Sequence, residues 1–217
     1  MISMNITIQS FYYDELDSTQ DEARRLIQSG KVKDISYVIA NSQTQGRGTR
    51  GRKWSSPASS GIYLSVIHLP DVKTGSPRLF ELTTLYTQAA GIACVEAIKE
   101  ITGIECNLKP LNDIYYKGKK LGGILIESRL QEKGISYLIS GVGINIQKAV
   151  HELDRDIIEP ISLEDIMPEK VETGLPCLYF SKEKLIEKIV ERICFWYEMI
   201  FDMKHDSIRE KWKEYTT

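Results

Sequence analysis

Between Glu81 and Glu96 the chain carries no charged residue, and from Leu79 to about Gly103 its apolar positions recur at helical spacing. A helix without a polar face is buried on most sides, so the flanking segments must supply its cover. They read as follows. "ITIQSFYY" alternates and is rich in β-formers, a first strand. "DSTQDEARRLIQSG" is a helix with Ser18 or Thr19 as N-cap, acids in its first turn and Gly30 as its stop. "SYVIANSQT" is a second strand running into a glycine-rich loop, and "GIYLSVIHL" is a third, closed by Pro70. "ECNLKPLNDIYYKGKKLGGILIESRL" reads as strand, turn, strand with "KGKK" at the turn, and "GISYLISGVGINI" as a further strand after "QEKG". Residues 147 to about 180 look irregular, with Pro160, Pro168 and Pro176, before the amphipathic helix "SKEKLIEKIVERICFWYEMIF" capped by Ser181. This order predicts an α+β fold: a mixed β-sheet with helices packed on one side.

At 217 residues the chain fits one domain, and a core of that size needs no staples. With 28 basic against 30 acidic residues, no global field draws it to nucleic acid or membrane, so any anion binding is local. The start "MISMNITIQS" lacks the pattern of a signal peptide, and no apolar run is long enough to span a bilayer. Cys94, Cys106, Cys177 and Cys194 form no CxxC pair, and His68, His151 and His205 are isolated. A zinc site, a disulfide framework and a nucleophile triad are therefore disfavoured, and a reducing, cytoplasmic location is expected.

Four stretches can carry chemistry. "GRGTRGRKW", residues 46 to 54, sets Arg47, Arg50, Arg52 and Lys53 among three glycines. Such cations repel unless an anion sits among them, and glycine amides and arginine forks suit phosphate oxygens. A solvated basic hairpin is the commoner fate of such a cluster, but Trp54 at its end would anchor it. "KPLNDIYYKGKKLGGILIE" places Lys109, Asn112 and Asp113 at a strand end, then Lys120 ahead of Gly122 and Gly123 in an apolar strand. Glycine within a strand marks a close approach by ligand or backbone. Lys117 and Lys119 read as an ordinary lysine-rich turn. "DSTQ", residues 17 to 20, is most simply a helix cap, although free N–H groups there also suit a polar ligand atom. "GVGIN", residues 141 to 145, again sets glycines within a strand and ends on an amide.

Taken in order, DSTQ, QTQGRGTRGRKW, KPLNDI, KLGGILIE and GVGIN resemble the biotin–protein ligases over roughly residues 11 to 146. The resemblance implies the class II aminoacyl-tRNA synthetase-like catalytic fold of the biotin–lipoate ligases over 1–217. It implies a two-step reaction with ATP, Mg²⁺ and biotin: formation of biotinyl-5′-AMP, then transfer to a lysine of a biotin carboxyl carrier domain of the acetyl-CoA carboxylase type. Lys120, Arg47, Lys109 and Asp113 would serve the chemistry, with Mg²⁺ near Asp113. Ser18, Thr19, Gln20 and Gln43 would hold the ureido ring, and Gly123 and Leu125 would line the biotin slot. Gly46, Arg47, Gly48, Thr49, Arg50 and Trp54 would border the biotin carboxylate and adenylate. Asn112 would orient phosphate, and Asn145 would meet the adenine.

This chain departs from the family pattern at three places. Thr49 stands where an arginine is usual, K-P-L-N-D replaces K-W-P-N-D, and Gln20 replaces a common asparagine. The expected organisation has no N-terminal winged helix, hence no DNA partner, and no C-terminal small β-barrel. No membrane partner is expected, while an exposed sheet edge is compatible with a homodimer or with carrier docking. Two rivals remain: a lipoate or octanoate ligase or transferase of the same fold, and a non-catalytic nucleotide- or RNA-binding module.

Overall fold

The computed structural model describes residues 8–32, 35–70, 79–110, 112–131, 134–147, 159–167 and 180–216. Among the described residues seven strands form one sheet: β1 (Gln9–Leu16), β2 (Ser36–Gln43), β3 (Gly61–His68), β4 (Asn107–Lys109), β5 (Asp113–Tyr116), β6 (Lys119–Gln131) and β7 (Gly134–Asn145). Their spatial order is β1-β2-β3-β7-β6-β5-β4. Only β1 and β2 run parallel, because α1 (Thr19–Gln28) crosses between them, and every other neighbouring pair is antiparallel. The sheet is therefore mixed, as expected. The β5–β6 hairpin turns through Lys117 and Gly118, both at positive φ (47° and 82°), within the lysine-rich turn read from the sequence.

The charge-free segment is α2 (Leu79–Thr102). Ala89, Ala90, Ile92, Ala93, Cys94 and Val95 are successive or near-successive positions, and all are fully buried. The sheet lies on one side of α2, while α4 (Lys182–Phe201) and α5 (His205–Tyr215) cover the other. Trp212 of α5 comes so close that a Cβ at Gly91 would lie 2.9 Å from its ring. The segment "REKWKEYTT", left unassigned in the sequence, thus ends a docked helix, Ile208 and Trp212 being its buried residues. Among the described residues of the stretch expected to be irregular, Leu163–Ile166 form a short helix, α3; Pro168, Pro176, Cys177 and His151 fall outside the described residues.

Helices α2, α4 and α5 take one side of the sheet, as predicted, but α1 covers the other. Alternation along β2 separates the two faces: Tyr37 and Ile39 join the α2–α4 core, whereas Val38 joins Ala23 and Leu26 of α1, with Ile67 and Ile139. The reason is topological: a right-handed β–α–β crossover must place its helix on a fixed side of the sheet. The described helices include none long and apolar enough to cross a membrane.

Candidate functional site

The face that carries α1 is emptied of side chains where the three central strands meet. Gly123 pairs with Gly143, Gly143 with Tyr63, and Gly141 lies between Leu125 and Ser65. Their glycines are required by close neighbours. A Cβ at Gly143 would lie 2.5 Å from Trp54 Cε2, and one at Gly141 would lie 3.0 Å from Gln20 Nε2. At Gly123 it would lie 3.3 Å from Trp54 Cζ3 and 3.7 Å from Lys120 Cε. Trp54 therefore lies across a glycine floor, and its buried Nε1 has no hydrogen-bond partner.

Lys120 reaches this floor through an irregularity in the sheet. Ile114 pairs with Gly122 but Tyr115 pairs with Lys120, so Leu121 is an extra residue in β6. Strict alternation would put Lys120 and Gly123 on opposite faces. The bulge lets Leu121 turn into the core, fully buried, and brings Lys120 to the glycine side. There its Nζ lies 2.7 Å from Asp113 Oδ1 and 5.5 Å from the centre of the Trp54 ring. The Lys120 backbone is pinned as well: its N–H donates to Glu159 O and its carbonyl accepts from Ile161 N–H, each at 2.9 Å.

Asn145 Nδ2 donates to the carbonyls of Lys120 (3.3 Å) and Ile161 (3.1 Å). Asn112 Nδ2 donates to Ile124 O at 2.8 Å, and Ile124 N–H returns a 2.7 Å bond to Asn112 O. In this structure both amides thus brace the strands around Lys120 and Asp113. Lys109 pairs across from Asp113 in the β4–β5 hairpin but is exposed, with its ammonium 5.2 Å from the centre of the Tyr115 ring. Burial, reinforced by the Asp113 charge, raises the Tyr115 phenol above its ordinary pKa, against the pull of Arg52.

The start of α1 supplies a buried polar cluster. Ser18 caps the helix, its Oγ accepting from Gln20 N–H at 3.3 Å. Thr19 donates from both N–H (2.8 Å) and Oγ1 (3.2 Å) to Gln43 Oε1, and Gln43 Nε2 donates to Ser56 Oγ at 2.7 Å. Ser65 Oγ donates to Thr19 Oγ1 at 2.8 Å, with Gln20 Oε1 at 3.4 Å, and Gln20 Nε2 donates to Leu125 O at 3.1 Å. Ser65 and Ser56 were missed in the sequence. The legible signal for Ser65 was a serine in the apolar run "GIYLSVIHL", where a buried polar group must find a partner.

The arginine-glycine loop is a short hairpin closed by an Arg47–Lys53 pairing. Gly48 N–H donates to Arg52 O (2.8 Å) around a 3-10 turn at Thr49–Gly51, where Arg50 and Gly51 have φ of 58° and 74°. Thr49 Oγ1 accepts from Arg52 Nη2 at 3.1 Å. The base cannot tolerate a side chain, since a Cβ at Gly46 would lie 2.3 Å from Trp54 O. One expectation needs correction: Arg47 already has anions. Its Nη2 lies 2.8 Å from Asp21 Oδ1 and its Nη1 lies 3.8 Å from Glu127 Oε1. Neither carboxylate was a sequence candidate, because nothing local links α1 or the far part of β6 to the loop. Among the described residues no group of three or more His, Cys, Asp or Glu could hold a metal. Asp113 is the carboxylate beside the floor that a magnesium ion could meet.

A family model described as the biotin/lipoate A/B protein ligase family matches residues 12–145, which span every site element from β1 to β7. The chain belongs to this family. It is 33% identical over 162 residues to the bifunctional ligase/repressor BirA of Bacillus subtilis, covering 74% of this chain and 48% of that protein. It is 30% identical over 172 residues to the biotin–[acetyl-CoA-carboxylase] ligase of Mycobacterium tuberculosis, covering 77% and 58% respectively. The chain spans about half the length of these curated relatives. Among solved structures it is similar to a biotin protein ligase from Aquifex aeolicus in complex with biotin and ATP, with a TM-score of 0.74 at 25% identity. That alignment covers 96% of this chain and 78% of the Aquifex chain. The α+β architecture described above is thus the biotin protein ligase fold.

Proposed function

We propose that the chain is the catalytic part of an ATP-dependent, AMP-forming biotin–protein ligase. The observation that carries this reading is the bulge that turns Lys120 onto the glycine floor, beside Asp113 and Trp54 and at the foot of the arginine-glycine loop. A biotin carboxylate oxygen would attack the α-phosphorus of ATP; the new P–O bond forms as the bond to pyrophosphate breaks. In the second step a lysine amine of a carrier domain attacks the acyl carbon, the C–O bond breaks, and AMP leaves with the electron pair while the amine loses its proton to solvent.

Neither step needs a nucleophilic side chain. Both concentrate negative charge on phosphate oxygens, and a preorganised cation stabilises that charge best. Lys120 is suited to this because its backbone is fixed at both ends and its ammonium is already oriented by Asp113. Arg47 and the loop amides would face the acyl-phosphate oxygens. The buried groups of Thr19, Gln20 and Ser65 and the half-buried Gln43 amide present donors and acceptors matched to a urea ring. Magnesium arriving on the triphosphate would neutralise the leaving pyrophosphate. The acceptor would be the carrier domain of an acetyl-CoA carboxylase, and the reaction would take place in the cytoplasm.

The test is incubation with biotin, ATP, Mg²⁺ and a carrier domain, with a parallel arm containing lipoate, reading carrier mass. A gain of one biotin minus water supports the proposal. A gain only with lipoate transfers the chain to the other branch of the family, and no gain in either arm removes the ligase reading.

A further inference from the structure

The arginine-glycine loop is tied to the body of the protein by an ion-pair cluster whose carboxylates lie outside the loop, on α1 and at the end of KLGGILIE. Asp21 lies in the first turn of α1, one residue after the polar cluster, and Glu127 lies on β6 beyond the glycine floor. Asp21 Oδ1 accepts from Arg47 Nη2 at 2.8 Å and also pairs with Arg24. Glu127 completes a square: Oε2 lies 3.2 Å from Arg24 Nη1, and Oε1 lies 3.8 Å from Arg47 Nη1. Two carboxylates therefore face two guanidiniums. The carboxylate side chains are only 21% and 25% exposed, so solvent screens them less than a surface pair.

We propose that Asp21 and Glu127 are positioning residues that clamp Arg47, and through it the loop, over the glycine floor before a substrate anion arrives. The rest of the loop offers little to hold it there. Beyond the Gly46–Trp54 bond at its base, the described contacts of its tip run within the loop itself, Gly48 to Arg52 and Arg52 to Thr49. Arg47 is the loop cation that reaches both α1 and β6. Fixing it in advance spares the substrate the entropy of ordering the loop, which is how an oriented group gains affinity without new contacts. Rotation of Arg47 from these carboxylates toward a substrate oxygen would leave Arg24 to neutralise Asp21 and Glu127, so the exchange strands no carboxylate. The role rests on the ligase reading only for the identity of that anion.

The loop contains four tryptic sites, Arg47, Arg50, Arg52 and Lys53, so its order can be read without substrate. The experiment is limited trypsinolysis of the full chain, following cleavage after Arg50, Arg52 and Lys53 by mass, for Asp21→Asn, Glu127→Gln and the control Glu22→Gln. Glu22 lies in the same helix turn but pairs with Arg25 and Tyr13 instead. Loss of either clamp carboxylate should speed cleavage about fivefold, equivalent to about 1 kcal/mol of loop closure, while the control stays unchanged. In an Arg47→Met background the Asp21→Asn effect should vanish. Unchanged cleavage in both clamp variants, an equal rise in Glu22→Gln, or an undiminished effect without Arg47 overturns the clamp. Because no biotin, ATP or carrier enters the assay, its failure leaves the ligase reading to its own test.

Discussion

Replacing Gly143 by alanine isolates the glycine floor from the rest of the fold. The new methyl would start 2.5 Å from Trp54 Cε2 and 2.7 Å from Cζ2 and Nε1, where carbon atoms in good contact sit about 3.5–4.0 Å apart. About 1 Å has to be found. The strand cannot give it, since β7 is hydrogen-bonded on both sides, to β3 and β6. The Trp54 backbone is held too, its N–H donating to Gly46 O at 2.9 Å and its carbonyl accepting from Ser56 Oγ at 3.1 Å. The indole ring must therefore swing off the floor.

Its Nε1 has no partner to lose, so the cost is packing, about 1–3 kcal/mol as for other overpacked sites, together with the Lys120 ammonium's contact with the ring. For a domain of this size each 1 kcal/mol lowers Tm by about 2–4 °C. Trp196 and Trp212 are buried in the opposite core, so a red shift in tryptophan emission would report Trp54. Biotin binding, measured by calorimetry, should weaken at least about tenfold, a loss of about 1.4 kcal/mol. Gly141→Ala is the comparison: its methyl would first meet Gln20 Nε2 at 3.0 Å, the far end of a flexible side chain. If Gly143→Ala leaves emission and binding no more altered than Gly141→Ala does, the floor does not seat Trp54 as described.

Lys120→Ala should cut biotin-dependent pyrophosphate release about 10²–10³-fold, the usual loss for one donor to a developing oxyanion. It also strands Asp113, so the double change with Asp113→Asn should recover stability but not activity; recovered activity would remove Lys120 from the chemistry. Thr49→Arg introduces the arginine that the family resemblance leads one to expect at the loop tip and should slow escape of biotinyl-5′-AMP several-fold, followed by filtration of labelled adenylate; an unchanged escape rate denies that position a part in retention. Asp17→Asn should show a pH signature. Hydrogen bonding to Arg25 is the largest cause holding the Asp17 carboxyl below its usual range, so its stabilising contribution is present above the unfolded pKa of about 4 and is lost as pH falls through the lower folded value. Urea midpoints of the two proteins should differ at pH 7 and converge in acid, and a gap that persists at pH 2 would contradict the assignment.

Much of this site was legible because its residues were chosen by local rules. Ser18 and Ser181 cap helices where the caps were read, and the glycines of KLGGILIE and GVGIN do lie where a ring and an amide approach the backbone. The charge-free helix announced its own burial, and α4 and α5 supply it. What escaped depended on long-range partners. Asp21 and Glu127 look like solvated charges until the fold brings Arg47 to them. Ser65 sits in β3, and its partners Thr19 and Gln20 lie 46 and 45 residues away along the chain. The placement of α1 opposite the other helices follows from strand order, which no short pattern encodes.

The extra residue at Leu121 also says how this protein can and cannot change. A substitution at Leu121 would alter packing but keep the count of residues, so Lys120 would still point at the floor. Deleting Leu121 would restore regular pairing and leave Lys120 two residues before Gly123, still on the floor side, but at the cost of a fully buried core side chain. The extra residue thus lets one short stretch of β6 serve both faces at once, giving Leu121 to the core without taking Lys120 from the floor. A graft of the site onto an unbroken strand would set its lysine two residues before the second glycine, and would give up the buried leucine that the irregularity adds here.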